Sequence, residues 1–408
     1  MSVGMFNTGN FTTDLAKKSF ASMITRLMPN GSAPLFGLTS MLPSETAVAT
    51  EHGFFTKTML FPEMTVDGAI ASGATTTVVV DSTANIIPGM IMRVTSSGEN
   101  ILINSVVSST TFTCTRGFGS VTATDIDDND TLYQVGNAFE ESSVRPNAQN
   151  IIPVRVTNYT QIFRNTWAIS ESARATLTIA GETNIAESRQ DCAAFHAADI
   201  EKALFLGQKY SGTRNGQPFR TMAGLVATVT DTTYYPPIYG GVANVTTLGS
   251  TTTFTQLETA IDPVFNQATD PKGASERLMF VGGTAMKVIN AIGRLNGTYQ
   301  LMDGQTNYGL QFKTLTLSRG TIRLIEHPLF NSNTTWAKMG VVVDLPTFRV
   351  AYLGDRKTQH KAFNEAGSVA QDNGIDAVGG TLTTEMTTVI KNPPANAVLY
   401  NFTAGAAG

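Results

Sequence analysis

The chain has 408 residues with a formal net charge of −4; at roughly 150 residues per domain that length predicts two to three compact units. Charged residues make up 15%, against a usual share of about 25%. This excludes an electrostatically driven nucleic-acid binder, which carries a strong basic excess. The 42% hydrophobic content excludes a disordered acidic chain. Thr supplies 58 residues, and its β-branched side chain favours strands. Low charge with much Thr, Ala and Gly suits a surface covered by other chains. Cys114 and Cys192 stand far apart, without a second Cys at metal-ligand spacing, so a reducing compartment and no disulfide framework are expected. Met1–Asn10 has neither a basic nor an apolar segment of a secretory signal. An initiator Met at position 1 argues against a removed pro-segment. No run of 18 or more apolar residues predicts a membrane span.

Residues 1–50 show little periodicity. One short helix is expected over Thr13–Met28, stopped by Asn30-Gly31. The rest reads as an extended arm, either loosely ordered or laid across a neighbour. Residues 53–65 and 151–163 read as two long strands, with alternation at Phe55, Lys57, Met59 and at Val154, Val156. Between them, 75–80, 90–95, 100–107, 111–116 and 131–135 are strand-like runs divided by turn signals, the pattern of a small barrel or sandwich. From Val66 to Gly136 there are seven acids and two bases, net −5, which leaves +1 for the rest of the chain. This segment should face water and not a polyanion.

A helix is predicted over Thr183–Leu206, with Ile185, Cys192, Phe195, His196, Ile200, Ala203 and Leu204 at helical spacings and Gly207 as its C′ residue. It would be roughly 36 Å long. Residues 215–350 alternate helix and strand. Thr255-Gln-Leu-Glu258 reads as a capping box opening a helix to about Ala268. Arg277–Val281 reads as a buried strand, and Gly282-Gly283-Thr284 leads into a helix to about Leu295. Thr314–Ser318 and Thr321–Ile325 read as a hairpin, Ala337–Leu345 and Phe348–Leu353 as strands. Thr381–Lys391 and Ala397–Phe402 read as a closing pair around Asn392-Pro-Pro-Ala-Asn396. The class is α+β with mostly antiparallel sheets.

Three patterns invite chemistry, each with a plainer reading. Cys192 and His196 share a helix face as a nucleophile–base pair would, but no third orienting group is evident and the face is Ala-rich, which favours packing. The run Asp125-x-Asp127-Asp128-Asn129-Asp130 resembles a calcium loop without the required Gly, and with Gly136 where Glu belongs, so a solvated acidic turn is favoured. Gly282-Gly283-Thr284 lacks the Lys-Ser/Thr of a phosphate loop and reads as a tight strand–helix turn.

The order of arm, long hairpin, long helix, mixed block and closing strands resembles the Hong Kong 97-like major capsid protein fold of tailed phages, which encapsulins share. The wording resembles one phage capsid family at Phe55-Thr-Lys-Thr-Met59, Gly136-Asn-Ala-Phe-Glu-Glu141, Val144-Arg-Pro146, Asn158-Tyr-Thr-Gln-Ile-Phe-Arg-Asn165, Ala186-Glu-Ser-Arg-Gln190 and Phe195-His-Ala-Ala-Asp-Ile-Glu201. The resemblance implies an N-arm over 1–50 and an E-loop over 51–69 and 137–166 carrying a β-barrel-like insertion domain, 70–136. It implies a P-domain of 167–214 and 345–408 with spine helix 183–206, and an A-domain of 215–344. It further implies a structural shell protein, with no catalytic chemistry and no cofactor, assembled in the host cytoplasm into hexamers and pentamers of the virion. Its partners would be itself, a portal and a scaffold or decoration protein, with only weak, non-specific contact to packaged DNA. Glu140, Glu141 and Arg145 at the E-loop tip, with Arg164, are candidate inter-subunit contacts, the alternative being a solvated loop. Lys17, Lys18 and Arg26 make the arm slightly basic and place it inside. Competing expectations are an encapsulin compartment, a virion adhesin or glycan-binding β-protein prompted by the Thr-rich segment, and an enzyme, for which four His without a convergent motif give little support.

Overall fold

The computed structural model describes residues 33–39, 41–57, 63–71, 76–84, 86–149, 153–175, 184–234, 243–266, 276–295, 302–307, 310–363 and 376–404. The helix expected over Thr13–Met28, with Lys17, Lys18 and Arg26, lies outside them. The chain divides into two compact units, one drawn from Gly53–Thr157 and Asp231–Ala243, the other from Met1–His52, Asn158–Thr230 and Asn244–Gly408.

The first unit is built on a six-stranded antiparallel sheet, in the order Glu63–Thr65, Thr131–Asn137, Met90–Val94, Asn100–Val106, Thr111–Thr115, Thr77–Val79. An antiparallel bridge between Val66 and Val80 joins the two outer strands, and the Asp67 and Asp81 amides donate across it to Val79 and Thr65. The sheet therefore closes into a small barrel, which removes its edges. Alternation supplies the interior: Met90, Met92 and Val94 from one strand and Phe112 and Cys114 from another point inward beside Ile101 and Leu132. The run expected as one strand over 53–65 is two strands with different partners. Glu51–Thr56 pairs with Val154–Tyr159, while Glu63–Thr65 belongs to the barrel. The barrel holds a buried ion pair. Arg116 Nε and Nη2 each donate at 2.8 Å to the two oxygens of Glu99, whose side chain is fully buried. The amides of Gly117 and Thr124 donate to the same carboxylate. Burial raises the Glu99 pKa, but these hydrogen bonds and the guanidinium charge outweigh it and hold the carboxyl below its ordinary value.

The second unit has two large sheets and a two-stranded hairpin, Tyr210–Arg214 with Gln217–Thr221, among the described residues. In the five-stranded one, Ala377–Ile390 is the long central strand. Gln161–Ser170 runs antiparallel along one side. On the other side lie Phe348–Leu353 and Gln359–Phe363, end to end, and Glu45–Ala47 adds in parallel to Phe348–Leu353. The strand expected over 151–163 breaks at Thr160. This buried residue donates its amide to Thr50 and its hydroxyl to Glu385, 2.9 Å away. The second sheet has seven strands, centred on Gly340–Val343, Glu276–Val281 and Thr321–Glu326. Central strands buried on both faces read as continuous apolar runs, and Leu278–Val281 and Val341–Val343 are such runs. One face packs on helices Phe254–Ile261 and Gly283–Leu295 through Leu257, Ile261, Ala285 and Ile289. The other shares a core with the helix Asn184–Leu206, where Leu278, Phe280, Val341 and Val343 join Ile200, Leu204 and Phe205.

Several local expectations are corrected. The capping box is Thr253 with Gln256, not Thr255 with Glu258; the Glu258 carboxylate is taken by Ser318. The α-helix stops at Ile261 and tightens to a 3₁₀ turn, Asp262–Phe265, because Pro263 has no N–H to continue the ladder. Ala377–Ile390 and Ala397–Tyr400 are not a hairpin. They lie in different sheets, and Asn392–Asn396 is a 3₁₀ crossing pinned by Asn396, which bonds Asn392, Pro393 and Asp344. Gly207 ends the long helix as expected, but not through a left-handed conformation, since its φ is not positive. It is needed for close approach: a Cβ there would lie 2.6 Å from the Ala203 carbonyl oxygen and 2.7 Å from that of Met222. Gly224 meets the same helix end, its Cβ position 2.6 Å from the Ala203 oxygen and 2.8 Å from the Leu204 oxygen. Gly224→Ala is therefore expected to cost about 1–3 kcal/mol, as overpacking against backbone does, and to lower the thermal midpoint by several degrees in a calorimetric scan.

Candidate functional site

The residues singled out for chemistry are spent on structure. His196 is buried, its Nδ1 2.7 Å from Asn165 Oδ1 and its Nε2 2.8 Å from Thr384 Oγ1. Burial lowers its pKa, against a smaller opposing effect of Asp199. Cys192 packs with Trp167 and Val378, and burial raises its thiol pKa. Cys114, inside the barrel, is pushed up to about 11 by burial. Since the thiolate is the reactive form, neither cysteine should react with iodoacetamide at pH 8 in the folded chain, and both should react in denaturant. Mass spectrometry of the intact chain reads this directly.

The acidic run is a turn whose groups bond inward. Asp128 accepts from the Gly68 amide at 2.8 Å, Asp130 from the Thr131 amide and the Ser96 hydroxyl, and Asn129 takes the left-handed conformation. Among the described residues, no group of three His, Cys, Asp or Glu could hold a metal ion. At Gly282-Gly283 the amides are occupied by Met339 O and Asn331 Oδ1. A Cβ on Gly282 would lie 2.4 Å from the Ala337 carbonyl oxygen. This is the tight strand–helix turn, and its two glycine amides are already taken.

What the chain offers instead is surface. In the first unit, Ala138–Gln149 has no helix or strand and is exposed throughout. It carries Glu140, Glu141 and Arg145, and it leaves Val144 87% exposed. In the second unit, the strand Gln161–Ser170 alternates. Phe163, Asn165 and Trp167 face the long helix, and Ile162, Arg164 and Thr166 face away from it. Register places Thr383 and Thr381 beside Arg164 and Thr166, and Gln359 and Lys361 beside those. Arg356 and Lys357 adjoin them, giving a concave face of about 680 Å³ with four cations and no acid among its lining residues.

A third feature is an anchor. Glu201, on the long helix, is completely buried. Its Oε1 accepts from the Leu35 amide at 2.8 Å and lies 2.7 Å from His327 Nε2; its Oε2 accepts from the Phe36 amide at 2.6 Å. Because His327 Nδ1 accepts from the Leu329 amide, Nε2 carries the proton and donates. A carboxylate 165 residues away thus caps the first turn of the helix Pro34–Thr39, satisfying amides that no intrahelical partner could reach. Phe205, Phe280 and Phe330 enclose the imidazole.

The family described as SU10 major capsid protein matches residues 7–403. The major capsid protein of Pseudomonas phage PaMx41 is 37% identical over 404 residues, 97% of this chain and 95% of that one. The chain belongs to the SU10 major capsid protein family. Its fold also resembles, at a lower level, the capsid of a native GTA particle (9% identity, 98% of both chains, TM-score 0.47) and a chain of Mycobacterium phage Bobi (11%, 95% and 96%, TM-score 0.46). The holo-SrpI encapsulin complex of Synechococcus elongatus PCC 7942 gives 10% identity, 62% and 78% coverage and a TM-score of 0.43.

Membership makes the chain a structural, non-enzymatic subunit of a phage head, located in the virion capsid and assembling with itself. The adhesin, encapsulin and enzyme expectations yield to it. Glu140, Glu141 and Arg145 lie together on the exposed strip and Arg164 on the basic sheet face. Glu201 escaped notice although its helical position, three residues before Leu204 and one after Ile200, puts a charge among buried residues, a signal of a buried partner. The basic face had no local signal, because Arg164 and Lys361 are far apart in sequence.

Proposed function

We propose that copies of this chain form hexamers and pentamers that tile an icosahedral or prolate head around double-stranded DNA, in the Hong Kong 97-like arrangement. The N-arm and the ribbon of Glu51–Thr56 with Val154–Tyr159 would lie over neighbouring copies, and the barrel would be an insertion carried on that E-loop. The second unit would supply the spine-helix P-domain and the A-domain. Glu140, Glu141, Arg145 and Arg164 would sit at contacts between subunits, with Lys17, Lys18 and Arg26 facing inward. A portal and a scaffold or decoration protein are the further partners this reading implies, and DNA would be touched only weakly.

The observation that carries the reading is the exposed strip Ala138–Gln149. A stretch with neither helix nor strand, holding Val144 and Phe139 in solvent, gains apolar burial only from another molecule. Low charge and near-neutrality outside the acidic barrel suit a wall that contains DNA without gripping it, since each neutralised phosphate adds salt-dependent affinity. Negative-stain imaging of the expressed chain tests it. Uniform shells or six-membered capsomers are expected; a monodisperse monomer or trimer under all assembly conditions would sink it.

A further inference from the structure

We propose that the hairpin of Tyr210–Arg214 and Gln217–Thr221 is the point at which each copy touches the phosphate backbone of double-stranded DNA, through Arg214, Arg220 and Lys209. The inference rests on the shell reading and names the side chains that meet the contents.

The hairpin stands alone. Its two strands form a sheet of their own, and such a ribbon is marginal without support. The support is at its base, where the Met222 and Ala223 amides donate to Gln161 and Asn158 at 3.1 and 2.8 Å. The tip is a two-residue turn with Asn215 and Gly216 both at positive φ, 51° and 73°, the kind of turn whose twist matches that of a hairpin. Between base and tip the rings are uncovered: Tyr210 is 53% and Phe219 38% exposed. From Gln208 to Thr230 there are three cations and no acid, so a chain of net charge −4 carries here a local charge of +3.

The cations lean on rings instead of carboxylates. Arg214 lies over the Phe219 ring, 5.8 Å from its centroid, and Lys209 over that of Tyr159 at 5.3 Å. Neither Arg214 nor Arg220 is ion-paired among the described residues, and Arg220 Nε is buried without a hydrogen-bond partner. A ring positions a cation without neutralising it, and a guanidinium over a ring keeps its fork of N–H groups for a phosphate. Exposed Thr213, Asn215 and Gln217 add neutral donors, which also bond phosphate oxygens. An acidic protein segment fits less well. In the barrel, where the chain's negative charge is concentrated, Asp81, Asp128 and Asp130 accept from its own amides. Duplex DNA bears one negative charge per about 1.7 Å of its axis. Three contacts per copy are fewer than the roughly six to ten of a strongly salt-dependent binder, so each copy holds DNA weakly, as a wall that must release it requires.

The full chain, kept below the concentration at which it forms shells, is titrated into a short labelled DNA duplex and followed by fluorescence anisotropy at several salt concentrations. Three neutralised phosphates at about 0.9 each give an expected slope of about −2.7 in log K against log salt. R214Q/R220Q should bring the slope to about −0.9 and weaken binding at about 0.05 M salt roughly ten-fold or more. R214K/R220K keeps the charges and should keep the slope. R319Q/R323Q removes two cations already paired with Asp262 and Glu276, and should change neither slope nor affinity. Duplexes of different base composition should bind alike, because phosphates carry no sequence. An unchanged slope in R214Q/R220Q, or an equal loss in R319Q/R323Q, would overturn the proposal. So would loss of the slope in R214K/R220K, which would make the effect one of folding. Tighter binding of poly-glutamate than of the duplex would assign the hairpin to an acidic polypeptide, and would overturn it too. Because binding is read on the unassembled chain, the two readings fail separately. Absence of shells from the unmodified chain counts against assembly, and normal shells without duplex binding count against the hairpin alone.

Discussion

Replacing Glu201 by Gln is expected to destabilise the second unit by about 1–3 kcal/mol for each buried donor it leaves unsatisfied. The carboxylate receives three donors on two oxygens: the Leu35 and Phe36 amides and His327 Nε2. Glutamine keeps one acceptor and turns the other position into a donor. At least one amide of the helix Pro34–Thr39 would then face an N–H, in a place no water reaches, since both Glu201 and His327 are fully buried. Urea unfolding followed by tryptophan fluorescence should show the loss, because both tryptophans, Trp167 and Trp336, lie in this unit. Limited proteolysis should show cleavage near Leu35–Thr39 at lower protease concentrations than in the unmodified chain. His327→Phe should recover less than half of the unmodified stability difference when combined with Glu201→Leu, because the two amides stay orphaned. A fully additive pair would mean that the imidazole and carboxylate do not interact.

The barrel should respond at least as strongly to Arg116→Met. The substitution leaves Glu99 buried with two backbone amides and no countercharge. A loss of about 3–5 kcal/mol is expected, in the first unit, where a single small core has little stability to spare. Acid should act on the same contact. The Glu99 pKa is depressed in the folded chain, so its stabilisation is fully present above the unfolded value of about 4.3. It is lost as pH falls through the lower folded value. Circular dichroism of the unmodified chain should therefore show the barrel weakening below about pH 4, and Arg116→Met should flatten that dependence. An unchanged acid limb in the variant would mean that other carboxylates control it.

Periodicity and turn chemistry act over a few residues, and what depends on them was legible in the chain alone. The α+β class, the helix ending at Leu206, the buried strand at Leu278–Val281 and the barrel-like run with its segregated negative charge all follow from such local patterns. Errors arose where two readings share a local pattern. Thr253 and Thr255 both precede a Gln or Glu three residues on, and only the competing bond that Ser318 donates to Glu258 decides between them. Asn392–Asn396 looks like a hairpin turn until the flanking strands are assigned to their sheets.

Only the tertiary structure decided which distant groups meet. Closure of the barrel depends on Val66 finding Val80. The basic face depends on strand register, which sets Arg164 opposite Thr383 and Lys361 opposite Thr381. The anchor depends on Glu201, Leu35 and His327 converging from three parts of the chain. Local sequence specifies backbone preference and the face a side chain takes. Long-range partners are selected by the packing of whole elements, whose free energy is spread over many residues and written in no single stretch of them.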